Sequence, residues 1–161
     1  MVILSKSNIR ILAPMDELDY FNSQSAVLSK ALSPSHAWAI MTARPSPVLK
    51  LAFWLRDLLS APFGVQKIKG FFRKPRQTIE AGAHLDFFLV EHSDESALVL
   101  TARARYLDVM TCISAQGSTI TVSTSVKVHN GFGRCYMVPV GLAHPLIMRR
   151  SLARLRRHCR N

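Results

Sequence analysis

The sequence predicts an α+β domain in which strands form one block and helices stand apart from it. Two observations carry this prediction. Between Leu85 and His129 the apolar residues alternate in short runs bounded by turns, and from Asn130 to the end they follow helical spacing. Strands segregated from helices do not build a doubly wound sheet. A long amphipathic helix must then bury its stripe against that sheet.

Taken in order, Asn8 to Leu12 alternates weakly and reads as a first strand stopped by Pro14. Asp16 to Phe21 reads as a polar turn with an aromatic end. Ser33-Pro34-Ser35 is a helix start, with Pro34 where its missing N–H does no harm, and His36 to Ala43 supplies two turns. Arg44-Pro45-Ser46-Pro47 breaks that helix, and Pro47 opens a second one with Val48, Leu51, Leu55, Leu58 and Leu59 on one stripe, ended by Pro62 and Gly64. The outcome is a short helical pair after the first strand.

The run from Leu85 to Val90 reads as a strand buried on both faces, with Ser93-Asp94-Glu95 as the turn after it. Ala97 to Arg103 and Arg105 to Ser114 follow as two strands, or one bent around Ala104. Ala115-Gln116-Gly117-Ser118 is the hairpin turn. Thr119 to His129 has Ile120, Val122, Val126 and Val128 on one face and Thr119, Thr121, Ser123, Ser125 and Lys127 on the other, so its polar face is expected to meet water. Asn130 is the expected N-cap of a helix from about Gly133 to Arg157, with His144, Met148, Leu152, Leu155 and Cys159 at helical spacing and Pro139 or Pro145 kinking it.

The chain has 161 residues, 48% hydrophobic and 19% charged, which suits one globular domain and excludes a disordered or low-complexity chain. One domain, 1–161, is expected, with 149–161 as the end of the last helix and a short tail. No stretch approaches the roughly 20 apolar residues of a membrane span. The net charge is +11. Lys67, Lys69, Arg73, Lys74 and Arg76 form one acid-free basic segment; Arg149, Arg150, Arg154, Arg156, Arg157 and Arg160 form another. The rest of the chain is neutral, with ten basic and ten acidic side chains. Such segments attract nucleic acid or an anionic membrane, or are simply a solvated loop and a solvated helix end. Phe71 and Phe72, set inside the first segment, suit a membrane surface, stacked bases or a covered loop.

Three cysteines, Cys112, Cys135 and Cys159, occur without a Cys-x-x-Cys and without a secretory signal, so a reducing, cytoplasmic location is expected. No Gly-x-Ser-x-Gly, His-Glu-x-x-His or phosphate-loop motif occurs, and no cofactor is expected. Gly131-Phe132-Gly133 lacks the third glycine of a dinucleotide loop and reads as a turn. The six histidines are not spaced as metal ligands, and no metal site is expected.

Certain runs carry a resemblance. Asp19-Tyr20-Phe21, Leu55-Arg56-Asp57, Tyr106-Leu107-Asp108-Val109, the strand Val122 to His129, and His129-Asn130-Gly131-Phe132-Gly133-Arg134-Cys135-Tyr136-Met137 leading to His144 resemble a bacterial family catalogued as domain of unknown function 2867, within the START-like (helix-grip, polyketide-cyclase-like) superfamily. The resemblance spans about Asp16 to Arg157. Tyr106 stands where a His is expected in that family, and Pro145 where a basic residue is expected. The resemblance implies a curved antiparallel sheet gripping the C-terminal helix over a cavity, and no established activity.

The cavity walls are expected from Tyr106 to Cys112 and from Tyr136 to Met148. Asp108, Arg134, Tyr136, His144 and Tyr106 are the candidate ligand-binding residues. Arg134 is poorly placed for the positive helix end, so a buried partner is expected for it in Asp86 or Asp108. Three functions stay open: binding of a small apolar or amphipathic ligand, a cyclase- or hydrolase-like enzyme in the same cavity, and polyanion binding through the two basic segments. No catalytic residue stands out, and no obligate protein partner is evident.

Overall fold

The computed structural model describes residues 2–4, 8–43, 79–85 and 88–160. The expected second helix, the basic segment 67–76 and Asp86 lie outside the described residues. In chain order the elements are β1 (Val2–Leu4), β2 (Ile9–Ile11), a short 3-10 turn (Met15–Glu17), β3 (Tyr20–Val27), α1 (Pro34–Thr42), β4 (His84–Leu85), β5 (Phe88–Ser93), β6 (Ala97–Arg103), β7 (Leu107–Gln116), β8 (Thr119–Val128) and α2 (Gly131–Arg160).

Strands β3 to β8 form a six-stranded antiparallel sheet in the order β3-β8-β7-β6-β5-β4. The ladder from β6 to β8 is built by consecutive hairpins. Gly117 takes φ 59° in the β7–β8 turn, a left-handed conformation open to glycine at little cost. Register fixes which side chains share a face. Leu98, Ile113, Val122 and Gln24 lie in one row, Leu100, Thr111, Thr124 and Asn22 in the next, and Ala102, Val109, Val126 and Tyr20 in the third. This is the grip face, because α2 packs against it. Between β5 and β6 the register shifts at Val90/His92, a bulge that bends the strand.

The C-terminal half of α2 buries Leu152, Leu155 and Cys159 in one core with Leu98, Leu100, Ile113, Ile120 and Val122 of the sheet and Ala37, Trp38 and Met41 of α1. Nearer the start of α2, Tyr106, Leu107 and Val126 form a second cluster joined by Tyr20, Phe132, Tyr136 and Met137. The arrangement is α+β and helix-grip-like, as expected from the sequence.

Capping follows the sequence. Ser33 caps α1, its Oγ accepting from the His36 N–H at 3.4 Å. Asn130 caps α2, its Oδ1 accepting from the Gly133 N–H at 3.0 Å while its Nδ2 donates to the Arg105 carbonyl at 3.4 Å. Gly133 is required where it stands. A Cβ there would fall on the Tyr106 carbonyl oxygen and come within 2.8 Å of Val128 Cγ1.

Three expectations are corrected. The segment read as a turn from Asp16 to Phe21 becomes β3 from Tyr20 onward, because edge pairing with β8 satisfies its backbone whatever its polarity. The single first strand is the second half of a hairpin, β1–β2. That hairpin lies on the outer face of the sheet. The Leu12 N–H donates to Ser125 Oγ at 3.1 Å and the Arg10 N–H to Cys112 Sγ at 3.4 Å. Ser123 and Ser125 are therefore buried, whereas water had been expected on that face of β8.

Candidate functional site

The middle of the grip face is polar. β3 carries Tyr20, Asn22 and Gln24 at alternate positions, so all three share that face. Asn22 stands opposite Thr124, and Thr124 opposite Thr111. Both threonines are buried, and their Oγ1 atoms are 3.4 Å apart. Valine, isoleucine and leucine fill most of the rows on either side. A polar row inside an apolar face needs partners or a ligand, because burying an unpaired hydroxyl or amide costs on the order of 1–3 kcal/mol.

Helix α2 supplies the opposing groups. Gln24 Nε2 donates to the Pro145 carbonyl at 3.0 Å and to Asn22 Oδ1 at 3.2 Å. Tyr20 Oη lies 3.3 Å from His144 Nδ1, and the two rings meet edge to face, centroids 5.8 Å apart. The Tyr20 ring also packs over Gly141, 3.6 Å from where a Cβ there would sit, an ordinary contact distance. Burial lowers the His144 pKa to about 4 and raises that of Tyr20. At neutral pH both are uncharged. Where Nδ1 accepts from the phenol, Nε2 carries the imidazole proton and donates; in the other tautomer Nδ1 donates to the phenol oxygen and Nε2 accepts. The site thus offers hydroxyl, amide and imidazole groups without a formal charge. That suits a carbonyl or hydroxyl on a ligand better than a carboxylate.

Three of the five candidate ligand-binding residues gather on this side of the sheet. Tyr106 packs edge to face with Phe132, centroids 5.1 Å apart, and with Tyr136 at 5.7 Å. Tyr20 belongs to the same cluster and links it to His144. The other two stand elsewhere. Arg134 is exposed on α2. Asp108 points to the outer face, where His129 Nε2 lies 3.2 Å away and Arg103 Nη1 3.9 Å away. The expected buried pair of Arg134 with Asp108 is therefore not formed. The alternation of β7 sends Asp108 to the face opposite the helix that carries Arg134. The second suggested partner, Asp86, is outside the described residues.

Asp108 borders an open pocket of about 230 Å³ on the outer face, shared with Leu12, Glu91, Arg103, Met110 and Lys127. Its charges already meet one another. Glu91 accepts from Thr101 at 2.8 Å and pairs with Arg103 at 3.5 Å, and Lys127 pairs with Glu17 at 2.9 Å. This reads as a salt-bridged surface. Among the described residues no three His, Cys, Asp or Glu side chains converge as metal ligands.

In the second basic segment, Arg149, Arg150, Arg156, Arg157 and Arg160 are exposed. Arg154 departs from them: it is half-buried and Nη1 donates to the Met41 carbonyl at 3.3 Å. Sequence reasoning missed Tyr20, Asn22, Gln24, Thr111 and Thr124. The Tyr-x-Asn-x-Gln alternation was the available signal, and reading the segment as a turn concealed it.

The fold and its mid-face polar row define an α+β helix-grip-like protein. The profile of the family described as protein of unknown function (DUF2867) matches residues 15–151, and the chain belongs to that family. No curated protein and no solved structure matches it.

Proposed function

We propose that the chain binds a small, uncharged amphipathic ligand between the grip face and α2. The observation that carries this reading is the row Asn22–Thr124–Thr111, polar and largely buried in an otherwise apolar face, under a histidine held neutral by burial. Ligand sites are typically apolar with a few placed polar groups. The ligand's apolar part meets Val109, Val126 and the Tyr106–Tyr136 cluster, and its polar head meets Thr111, Thr124 and His144. The START-like resemblance of the sequence supports the same location.

Native mass spectrometry of protein purified from its own host tests this, together with titration by the neutral fluorescent ketone prodan. A retained small molecule and a blue-shifted, saturable prodan signal are expected. Thr124→Val keeps the side-chain shape and removes a hydroxyl, and it weakens prodan binding by about tenfold, the usual worth of one hydrogen bond. The absence of both a retained molecule and prodan binding overturns the reading. So does prodan binding that Thr124→Val and His144→Phe leave unchanged.

A further inference from the structure

The outward face of α2 is divided along its length. Val138, Leu142 and Leu146 are 65%, 75% and 57% exposed, which is unusual for three large apolar residues in succession on one helix. At about 100° per residue they fall in one stripe, roughly 80° wide, with Arg149, Arg156 and Arg160. Arg150 and Arg157 flank it, also exposed. The first half of the stripe is apolar over about 12 Å and the second is basic over about 16 Å. α2 contains no acidic residue. Favourable placement at the negative helix end accounts for cations in the last turn only. It leaves Arg149, Arg150 and the exposed leucines without a reason.

We infer that this face docks on an anionic lipid surface. An interfacial helix needs apolar side chains to enter the acyl boundary and cations to meet lipid phosphates. Val138, Leu142 and Leu146 supply the first, and the five arginines supply the second with side chains long enough to reach back to the headgroups. The helix lies on the membrane and does not cross it: no described helix is long and apolar enough to span. Nucleic acid would use the arginines but has no use for three exposed aliphatic side chains, since strands are held by cations and aromatic stacking. A second copy of the chain would bring more arginines toward a face that offers no carboxylate. The proposed ligand site is on the opposite side of α2, so the two readings stand or fall separately.

The test is co-sedimentation of the full chain with phosphatidylcholine vesicles, with and without about one third phosphatidylglycerol, at low and physiological salt. Binding is expected only with the anionic lipid and falls with salt. Each arginine near a charged surface is worth about 1 kcal/mol, or fivefold, so Arg149→Gln/Arg156→Gln/Arg160→Gln weakens binding on the order of 100-fold. Leu142→Ser/Leu146→Ser weakens it at least tenfold without touching charge. Both variants change exposed residues and keep the parent's circular dichroism. In a third variant, Leu142→Trp, fluorescence shifts to the blue on vesicles and not in solution. No vesicle binding at low salt overturns the inference. It is equally overturned if the leucine pair is silent while duplex DNA binds through the same arginines, or if the chain is a dimer that Leu142→Ser/Leu146→Ser makes monomeric.

Discussion

At His144 an ionisable ring has been moved into a site that favours its neutral form, with Tyr20 as its hydrogen-bond partner. The folded pKa of about 4 lies below the unfolded value of roughly 6.5, so the unfolded chain binds more protons between those limits. Stability from this group is complete above the unfolded value and is lost as pH falls toward 4. Because the ring is half-buried, the loss is about 2 kcal/mol. His144→Gln keeps a polar partner for Tyr20 and removes the titration. Urea midpoints at pH 7 and near pH 4.5 should therefore differ less in the variant than in the parent; an equal difference would assign the acid sensitivity to other groups. Gly133 sets a steric condition of the opposite kind. Gly133→Ala drives a methyl into the Tyr106 carbonyl and Val128, and it should cost about 2–3 kcal/mol in urea unfolding, whereas Gly131→Ala, with open space around it, should cost far less. An unchanged Gly133→Ala midpoint would mean that the helix start moves away freely. Neither role was legible in the sequence. The Gly-Phe-Gly run announces a turn, but the oxygen that forbids a side chain belongs to Tyr106, far back in the chain, and only the fold brings it there.

Among the elements, β5 to β8 and α2 were legible because each carries a pattern with a single period. β3 was not. Its sequence, Tyr-Phe-Asn-Ser-Gln-Ser-Ala-Val, is polar on both faces over most of its length, since one side looks at the polar row and the other at exposed serines. The β1–β2 hairpin was half legible, and its position on the outer face was hidden, because that face of β8 is polar and the burial of Ser123 and Ser125, like that of Val99, Met110 and Cys112 beside them, appears only in the folded chain. This cover can be measured through sulfur. Cys112 is buried beneath the hairpin and its thiol pKa is raised by that burial, whereas Cys135 is exposed. Iodoacetamide should modify Cys135 rapidly and leave Cys112 protected, with peptide mass spectrometry as the readout. Ile11 is 1% exposed, and Ile11→Ala should cost about 2–5 kcal/mol and speed the labelling of Cys112 well ahead of global unfolding. If Cys112 in that variant reacts only at the global rate, the hairpin and the sheet open as one unit.

For the whole molecule, the segregated α+β order was readable, but the strand order of the sheet was not: β3 pairs with β8 across most of the chain, and alternation within a strand carries no information about its neighbour. The charge distribution was readable in amount and not in geometry. A net charge of +11 repels itself, and the helix ending the chain concentrates that repulsion. Arg150 and Arg154 are one turn apart, as are Arg156 and Arg160, and like charges at that spacing destabilise a helix by about 0.2–0.5 kcal/mol per pair. The cost itself is measurable. Arg150→Gln/Arg156→Gln removes one member of each pair and leaves the cations of the last turn in place. At low ionic strength the variant should be more stable than the parent by about 0.4–1 kcal/mol, seen as a higher Tm. Raising salt to about 0.15 M shortens the screening length to about 8 Å, so the parent's Tm should rise and the two curves should approach each other. A parent whose Tm ignores salt, or a variant that melts lower at every salt concentration, would show that these arginines support the helix through their aliphatic stems and that their charges are no burden to the fold.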